Sequence, residues 1–463
     1  MRIRFHAREA DAMGGSLKRQ ALILTAGNGL TRALGFALHL VFARMMGAEA
    51  LGVMELSHSV SMLALTPVTA GLPTAMSRMT AGRPAADQPN VLRAGLRLVT
   101  RIALAVMPLL LILSPALGWM LGDARAVPAI WSMTPCVLLL GLCSVYSGYC
   151  YGRANTLTPA ANECVEQTVR FALSVLLLLW LGGRSIALSA ALPGVAECVA
   201  AGLSLWLFRR AVRLPRSLAR PSRALMREAT RLTAPVVLSR LCLTGMRTLN
   251  AVLLPACLRR SGLTASAATA QFGLLNGMAM PLMMLPGIVT GAVCMVATPA
   301  VSRLESQPRR MKAMMRQLAL AGLGIGAAAS VVLWLGADFV SGTLYRQEAL
   351  APLIRLLAPV TAVMALNQVM NGMIAGLGLQ RRSLTGTVLS AATVLLMTAW
   401  LAPLPGWRLF GAALATMTGQ TVTLLWNGGV LLRALRRLRR QPARQASDTS
   451  LDGGLAACGG GDM

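Results

Sequence analysis

Apolar runs of about twenty residues follow one another along this chain, separated by short polar stretches. That is the length an α-helix needs to cross a hydrocarbon core roughly 30 Å thick. The runs are continuous, with no alternation at every second residue, so a membrane β-barrel does not fit them. Twelve spans are predicted, near 18–43, 50–73, 97–121, 127–151, 160–182, 186–208, 229–254, 266–300, 314–340, 352–376, 383–402 and 408–432. The eighth is too long for a simple crossing, and "MAMPLMMLPG", with Pro281 and Pro286, predicts a kinked or broken helix there. The opening "MRIRFHAREADAMGGSLKRQ" has no apolar core of the kind a cleavable signal peptide carries.

The longest polar interruption, around 209–231, divides the spans six and six. The segments are then an N-terminal stretch 1–17, a first half 18–208, a basic linker 209–228, a second half 229–432 and a basic, disordered tail 433–463. The halves echo each other. "TAMSR" (74–78) closes span two and "PAVSR" (299–303) closes span eight, 225 residues later. Gly148 in "YSGYCYGRANTL" aligns with Gly372 in "MNGMIAGLGLQRRSL" at nearly the same offset. Six is even, so both halves enter the membrane in one orientation and form a parallel pseudo-repeat. Such repeats enclose a central cavity. The expected fold is an all-α polytopic membrane protein with two six-helix lobes.

Composition agrees: 55% of the 463 residues are hydrophobic, 13% are charged, and the mean hydropathy is +0.62. The net charge of +28 would suit a nucleic-acid binder, but the positions of the charges argue otherwise. With the N-terminus inside, most of the 44 Lys and Arg fall in inner segments such as "RRAVRLPRSLARPSRALMR" and "RALRRLRRQPARQ". This is the asymmetry of the positive-inside rule; both termini are expected on the cytoplasmic side, with anionic lipid headgroups as secondary partners and no nucleic acid. The nine cysteines form no metal-ligand spacing. Cys136, Cys143 and Cys150 read as small residues along one helix seam.

Ionisable groups inside a span are costly and normally face a partner or a wet cavity. Asn28, Arg32, Gly35 and His39 form one stripe on span one, and Glu55 with His58 sits at i, i+3 on span two. Glu163, Glu166 and Arg170 share a face of span five, with Glu166–Arg170 at ion-pair spacing, and span six carries Glu197. On span seven, Arg240 and Arg247 share a face in a stretch with no Asp or Glu between Glu228 and Glu305. A cavity of that sign suits phosphate better than a cationic drug. The expected substrate-binding set is Arg32, Asn28, His39, Arg240 and Arg247; the expected gate or coupling set is Glu55, Glu163, Glu166, Arg170 and Glu197. No catalytic site, cofactor or metal is expected, since the chain has neither a large extramembrane loop with paired carboxylates nor a phosphate-cradling Gly-Lys-Ser/Thr loop.

"LTRALGFALHLVFARMMGAEALGVMELSHSVSMLALTPVTAGLPTAMSRMTA" resembles the opening of the stage V sporulation protein B and polysaccharide-flippase family. "YGRANTLTPAANECVEQTVRF" resembles a second family segment, which Gly148, Gly152, Thr158, Pro159, Ala160, Glu166, Gln167 and Arg170 fit. Arg153 stands where Gln is common, and many relatives show fourteen spans. The resemblance implies membership of the multidrug/oligosaccharidyl-lipid/polysaccharide exporter superfamily. It also implies a flippase moving a lipid-linked oligosaccharide or lipid II-like precursor for spore-cortex or envelope synthesis; the chain is expected in the cell membrane, as a monomer. The alternative on the same fold is a cation-coupled multidrug exporter.

Overall fold

The computed structural model describes the backbone at 2–212, 223–303 and 307–456, with side chains apart from those at 2–26, 28, 295, 296, 299, 303, 308 and 437–456. Half of the linker (213–222), the end of the tail and the side chain of Asn28 therefore lie outside the described residues. Every regular element described is helical. α1 spans Arg2–Thr69, with a non-helical break at Gly47 (φ 74°, ψ 175°). A left-handed φ is cheap only for glycine, so the chain can reverse there. It does reverse. His39 Nδ1 lies 3.7 Å from Glu55 Oε1, although sixteen residues of straight helix would separate them by about 24 Å. The break falls between the first two predicted spans.

α2 (Leu72–Ala81), α3 (Gln88–Leu121), α4 (Ala126–Met133), α5 (Cys136–Gly152), α6 (Leu157–Leu181), α7 (Ile186–Ala211) and α8 (Arg223–Arg260) follow. α9 (Ala265–Phe272) runs through a π-helical stretch, Gly273–Ala279, into α10 (Met280–Met283), and α11 is Gly287–Arg303. The eighth span is thus broken beside the predicted prolines, with a bend of 49°. α12 (Pro308–Leu335), α13 (Ala337–Phe339), a second π-helical stretch Val340–Tyr345, α14 (Leu350–Gly376), α15 (Gln380–Leu401) and α16 (Arg408–Ala456) complete the chain. Among the described residues nine helices are long and apolar enough to cross a membrane, or ten with the bent pair. One of the nine, Gly29–Ala81, is 53 residues long and contains the Gly47 reversal. The chain is a multi-pass membrane protein.

Packing divides it into two compact units. One comprises Met1–Leu282, Ala337–Leu353 and Val394–Ala415; the other Met283–Gly336, Ile354–Thr393 and Thr416–Met463. The first has a core of Leu72, Met76, Leu92, Val99, Val137 and Tyr146, with Cys136, Cys143 and Cys150 buried in it as a helix seam requires. The second packs Met311, Met315, Val369, Met373, Ile374 and Val430. The two aligned glycines both sit at close helix contacts within their own unit. A Cβ at Gly148 would lie 2.6 Å from the Pro73 carbonyl oxygen, and one at Gly372 would lie 3.1 Å from Cys294 Cα. Small residues let helices approach this closely in the absence of a solvent-driven squeeze.

Candidate functional site

A cavity rich in ionisable groups lies in the first unit, between the two legs of α1 and α4, α6 and α7. Helical spacing delivers the side chains in pairs: Gly35 and His39 from the first leg, Glu55 and His58 from the second, Arg170 and Ser174 from α6, Pro193 and Glu197 from α7. Arg170 Nη1 donates to Glu197 Oε2 at 2.7 Å, and its Nη2 donates to Gln167. Arg170 Nε and Ser174 Oγ are buried without a hydrogen-bond partner, so the site has polar capacity to spare. The volume of about 100 Å³ admits several waters or a small ion, not a sugar headgroup.

A second cavity, about 260 Å³, lies between α5, α6 and α7 and holds Glu163 and Glu166 with Asn162, Ser144, Ser147 and Ser204. Asn162 Nδ2 donates to Ser204 Oγ at 2.6 Å. The three ionisable groups of α6 thus part company. Glu163 and Glu166 face one cavity and Arg170 the other, where it pairs across helices with Glu197 instead of along its own helix with Glu166. His39 is likewise brought to Glu55, Glu197 and Arg170, while Arg32, with which its stripe grouped it, is exposed.

Arg32 is exposed on α1, and Arg240 and Arg247 are exposed on α8. α8 docks on the second leg of α1 through Thr66 Oγ1, which donates to Thr244 at 3.3 Å, and Thr248 Oγ1, which donates to the Ser59 carbonyl at 2.9 Å. Seven residues apart, the two arginines lie within about 20° of each other round the helix. Each is two residues from a strongly exposed leucine, Leu238 or Leu249, and so points roughly 160° away from the apolar side. Neither has an ion-pair partner among the described residues.

Sequence reasoning missed a further network around the turn between α3 and α4. Arg125 grips Asp123 with two donors, Nε to Oδ1 at 2.9 Å and Nη2 to Oδ2 at 2.7 Å, and reaches Glu49 Oε1 with Nη1 at 2.8 Å. From α9, Ser266 donates to Glu49, and Thr269 Oγ1 donates to Asp123 Oδ2 at 3.2 Å. Burial opposes the Asp123 carboxylate, but the hydrogen bonds from Arg125 outweigh it and hold its pKa below the usual range. The same bonds raise Arg125. The sequence signal was the short "GDAR" turn, in which the acid and the base stand two residues apart.

Comparison with known proteins decides the family. The model of the family described as polysaccharide biosynthesis protein matches residues 17–305, more than half of the chain. The chain belongs to this family. It is 27% identical over 434 residues to stage V sporulation protein B of Bacillus subtilis (strain 168), covering 89% of this chain and 83% of that protein. Among solved structures it resembles an inward-facing multidrug resistance MATE family transporter of the MOP superfamily (TM-score 0.72, 16% identity, 88% of this chain and 96% of that one). It also resembles the lipid II flippase MurJ in an inward closed conformation (TM-score 0.71, 11% identity, 90% of each). At these identities the structures establish a shared fold. The polysaccharide biosynthesis family therefore supplies the class, and the residues must supply the chemistry.

Proposed function

We propose that this member of the polysaccharide biosynthesis family is a flippase and not an enzyme. It moves a lipid-linked sugar or peptidoglycan precursor, carrying a pyrophosphate, from the inner to the outer leaflet of the cell membrane. The likeness to stage V sporulation protein B over nearly the whole length of both chains supports this class of cargo and a role in spore-cortex or envelope synthesis. The resemblance in fold to a lipid II flippase is consistent with it. Both termini are cytoplasmic on this reading, in keeping with the bias of Arg and Lys toward one set of loops.

The observation that carries the proposal is the pair Arg240 and Arg247, exposed on the side of α8 opposite its apolar leucines, in a stretch without a carboxylate. With Arg32 they offer guanidinium forks to phosphate oxygens. Glu55 and Glu197, with His39, Glu163, Glu166 and Arg170, serve as the gate or coupling set, because their cavities are too small for the headgroup but large enough for water or a small ion. Purified protein in vesicles should carry a fluorescent polyprenyl-diphosphate sugar to the opposite leaflet and leave a cationic dye behind. Transport of the dye alone would instead establish the multidrug-exporter reading that the MATE likeness allows.

A further inference from the structure

The Gly47 end of the first unit carries a contact whose construction is uneven. On one side, Asp123, Arg125 and Glu49 satisfy one another: Arg125 holds Asp123 with two donors and Glu49 with a third. On the other side, α9 contributes no charge, only the hydroxyls of Ser266 and Thr269. If α9 left, no charge would be stranded, and each hydroxyl and carboxylate oxygen could turn to water. A seam meant to stay shut would gain from a cross-seam ion pair; this one keeps its ion pairs on one bank.

The backbones below the hydroxyls make the same point. Gly52 of α1 and Gly273, just past α9, face each other: a Cβ at Gly273 would lie 2.7 Å from the Gly52 nitrogen, and one at Gly52 would lie 2.9 Å from the Thr269 carbonyl carbon. The backbones meet directly at these glycines, and the buried Leu51 side chain seats on Gly277 one turn further along. The helix that carries one bank changes to π-helical hydrogen bonding over Gly273–Ala279 and meets Pro281 directly after, a combination that weakens the backbone ladder where a hinge would be needed.

We propose that this seam is a separable latch closing the Gly47 end of the transport path, with Ser266 and Thr269 of α9 as the tongue and the Asp123–Arg125–Glu49 network as a permanently assembled keeper. The inference rests on the transporter reading above, in which that end is the outer one and must open once per cycle. In the open state α9 withdraws and the keeper stays intact and solvated.

The test uses the full chain with its nine native cysteines replaced, carrying Glu49→Cys and Ser266→Cys, whose native side chains touch. Copper–phenanthroline takes one proton and one electron from each thiol and joins the sulfurs as a disulfide across the seam. Transport of the polyprenyl-diphosphate sugar should fall roughly tenfold or more on oxidation and return with dithiothreitol, because a locked gate blocks turnover. Equal transport by the oxidised and reduced forms overturns the latch and leaves the flippase reading intact. A second arm needs no transport. Ala268→Cys, buried on α9 with Thr269 left in place, should be labelled by an impermeant maleimide added outside, several-fold faster when Asp123→Asn is also present. Labelling that is absent or unaffected by Asp123→Asn overturns the latch. Parent protein that moves no lipid while Ala268→Cys labels as predicted contradicts the cargo and leaves the latch standing.

Discussion

Removing Arg170 should destabilise the first unit, and by an amount the cavity geometry sets. Arg170 and Glu197 are 22% and 16% exposed and bonded at 2.7 Å, with Glu55 lining the same cavity. Stripping one partner from a fully buried pair costs about 3–5 kcal/mol, mostly for the stranded charge. Here the cavity can admit water, so Arg170→Ala is expected to cost about 2–3 kcal/mol. Glu197→Gln keeps an acceptor for the guanidinium and should cost about 1–2 kcal/mol. Replacing both with Met removes the charges together and should recover most of the loss, because a buried pair is worth little against well-packed apolar groups. Apparent melting temperatures in matched detergent rank the four proteins. If Arg170→Ala melts with the parent, or if the double variant is the least stable, the pair is not a buried, mutually dependent unit. Transport separates the roles: on the proposed coupling role for these groups, the double variant should be stable and inactive.

Three further outcomes follow from particular contacts. A cysteine replacing Ser217 in the basic linker should resist impermeant thiol reagents from outside the cell and react only after permeabilisation; labelling of intact cells would reverse the topology. Gly148→Ala places its methyl group 2.6 Å from the Pro73 carbonyl and should lower stability by about 1–3 kcal/mol, seen as reduced folded protein on gel filtration. Because the Asp123 pKa is depressed in the folded state, its contribution is complete above the unfolded carboxylate value and fades as pH falls through the folded one. The gap in melting temperature between parent and Asp123→Asn should therefore hold steady near neutrality and narrow below about pH 4.

Much of the architecture was legible because a bilayer imposes length and sign on a sequence. The multi-span helical character and the break beside Pro281 and Pro286 came from apolar periodicity and from prolines that interrupt a helix, whereas the reversal at Gly47 falls in the gap between the first two predicted spans without having been read from the sequence. The choice of partners did not. Helical spacing allowed Glu166 to pair with Arg170, but the guanidinium turns to Glu197, twenty-seven residues away on the next helix. Helical spacing puts Asn28, Arg32, Gly35 and His39 on one stripe, yet His39 lines the acid-bearing cavity while Arg32 is exposed. A stripe on a helix can span more than one neighbour, and periodicity along one element carries no information about which neighbour each residue meets. The Asp123–Arg125–Glu49 network was hidden for the same reason: it joins a turn, a helix kink and α9, three segments far apart in sequence.

The central claim is that the exposed arginines Arg32, Arg240 and Arg247 hold the phosphates of a lipid-linked cargo. It is tested most directly by transport and binding of a polyprenyl-diphosphate sugar with Arg32, Arg240 and Arg247 each changed to Ala and to Lys, at matched protein abundance. Losing one charged hydrogen-bonding contact should cost about 1.5–3 kcal/mol, roughly a tenfold to hundredfold loss in affinity. Lys should restore little, because a point charge cannot reproduce the two-pronged fork. Alanine variants that bind and move the lipid as the parent does would contradict the account.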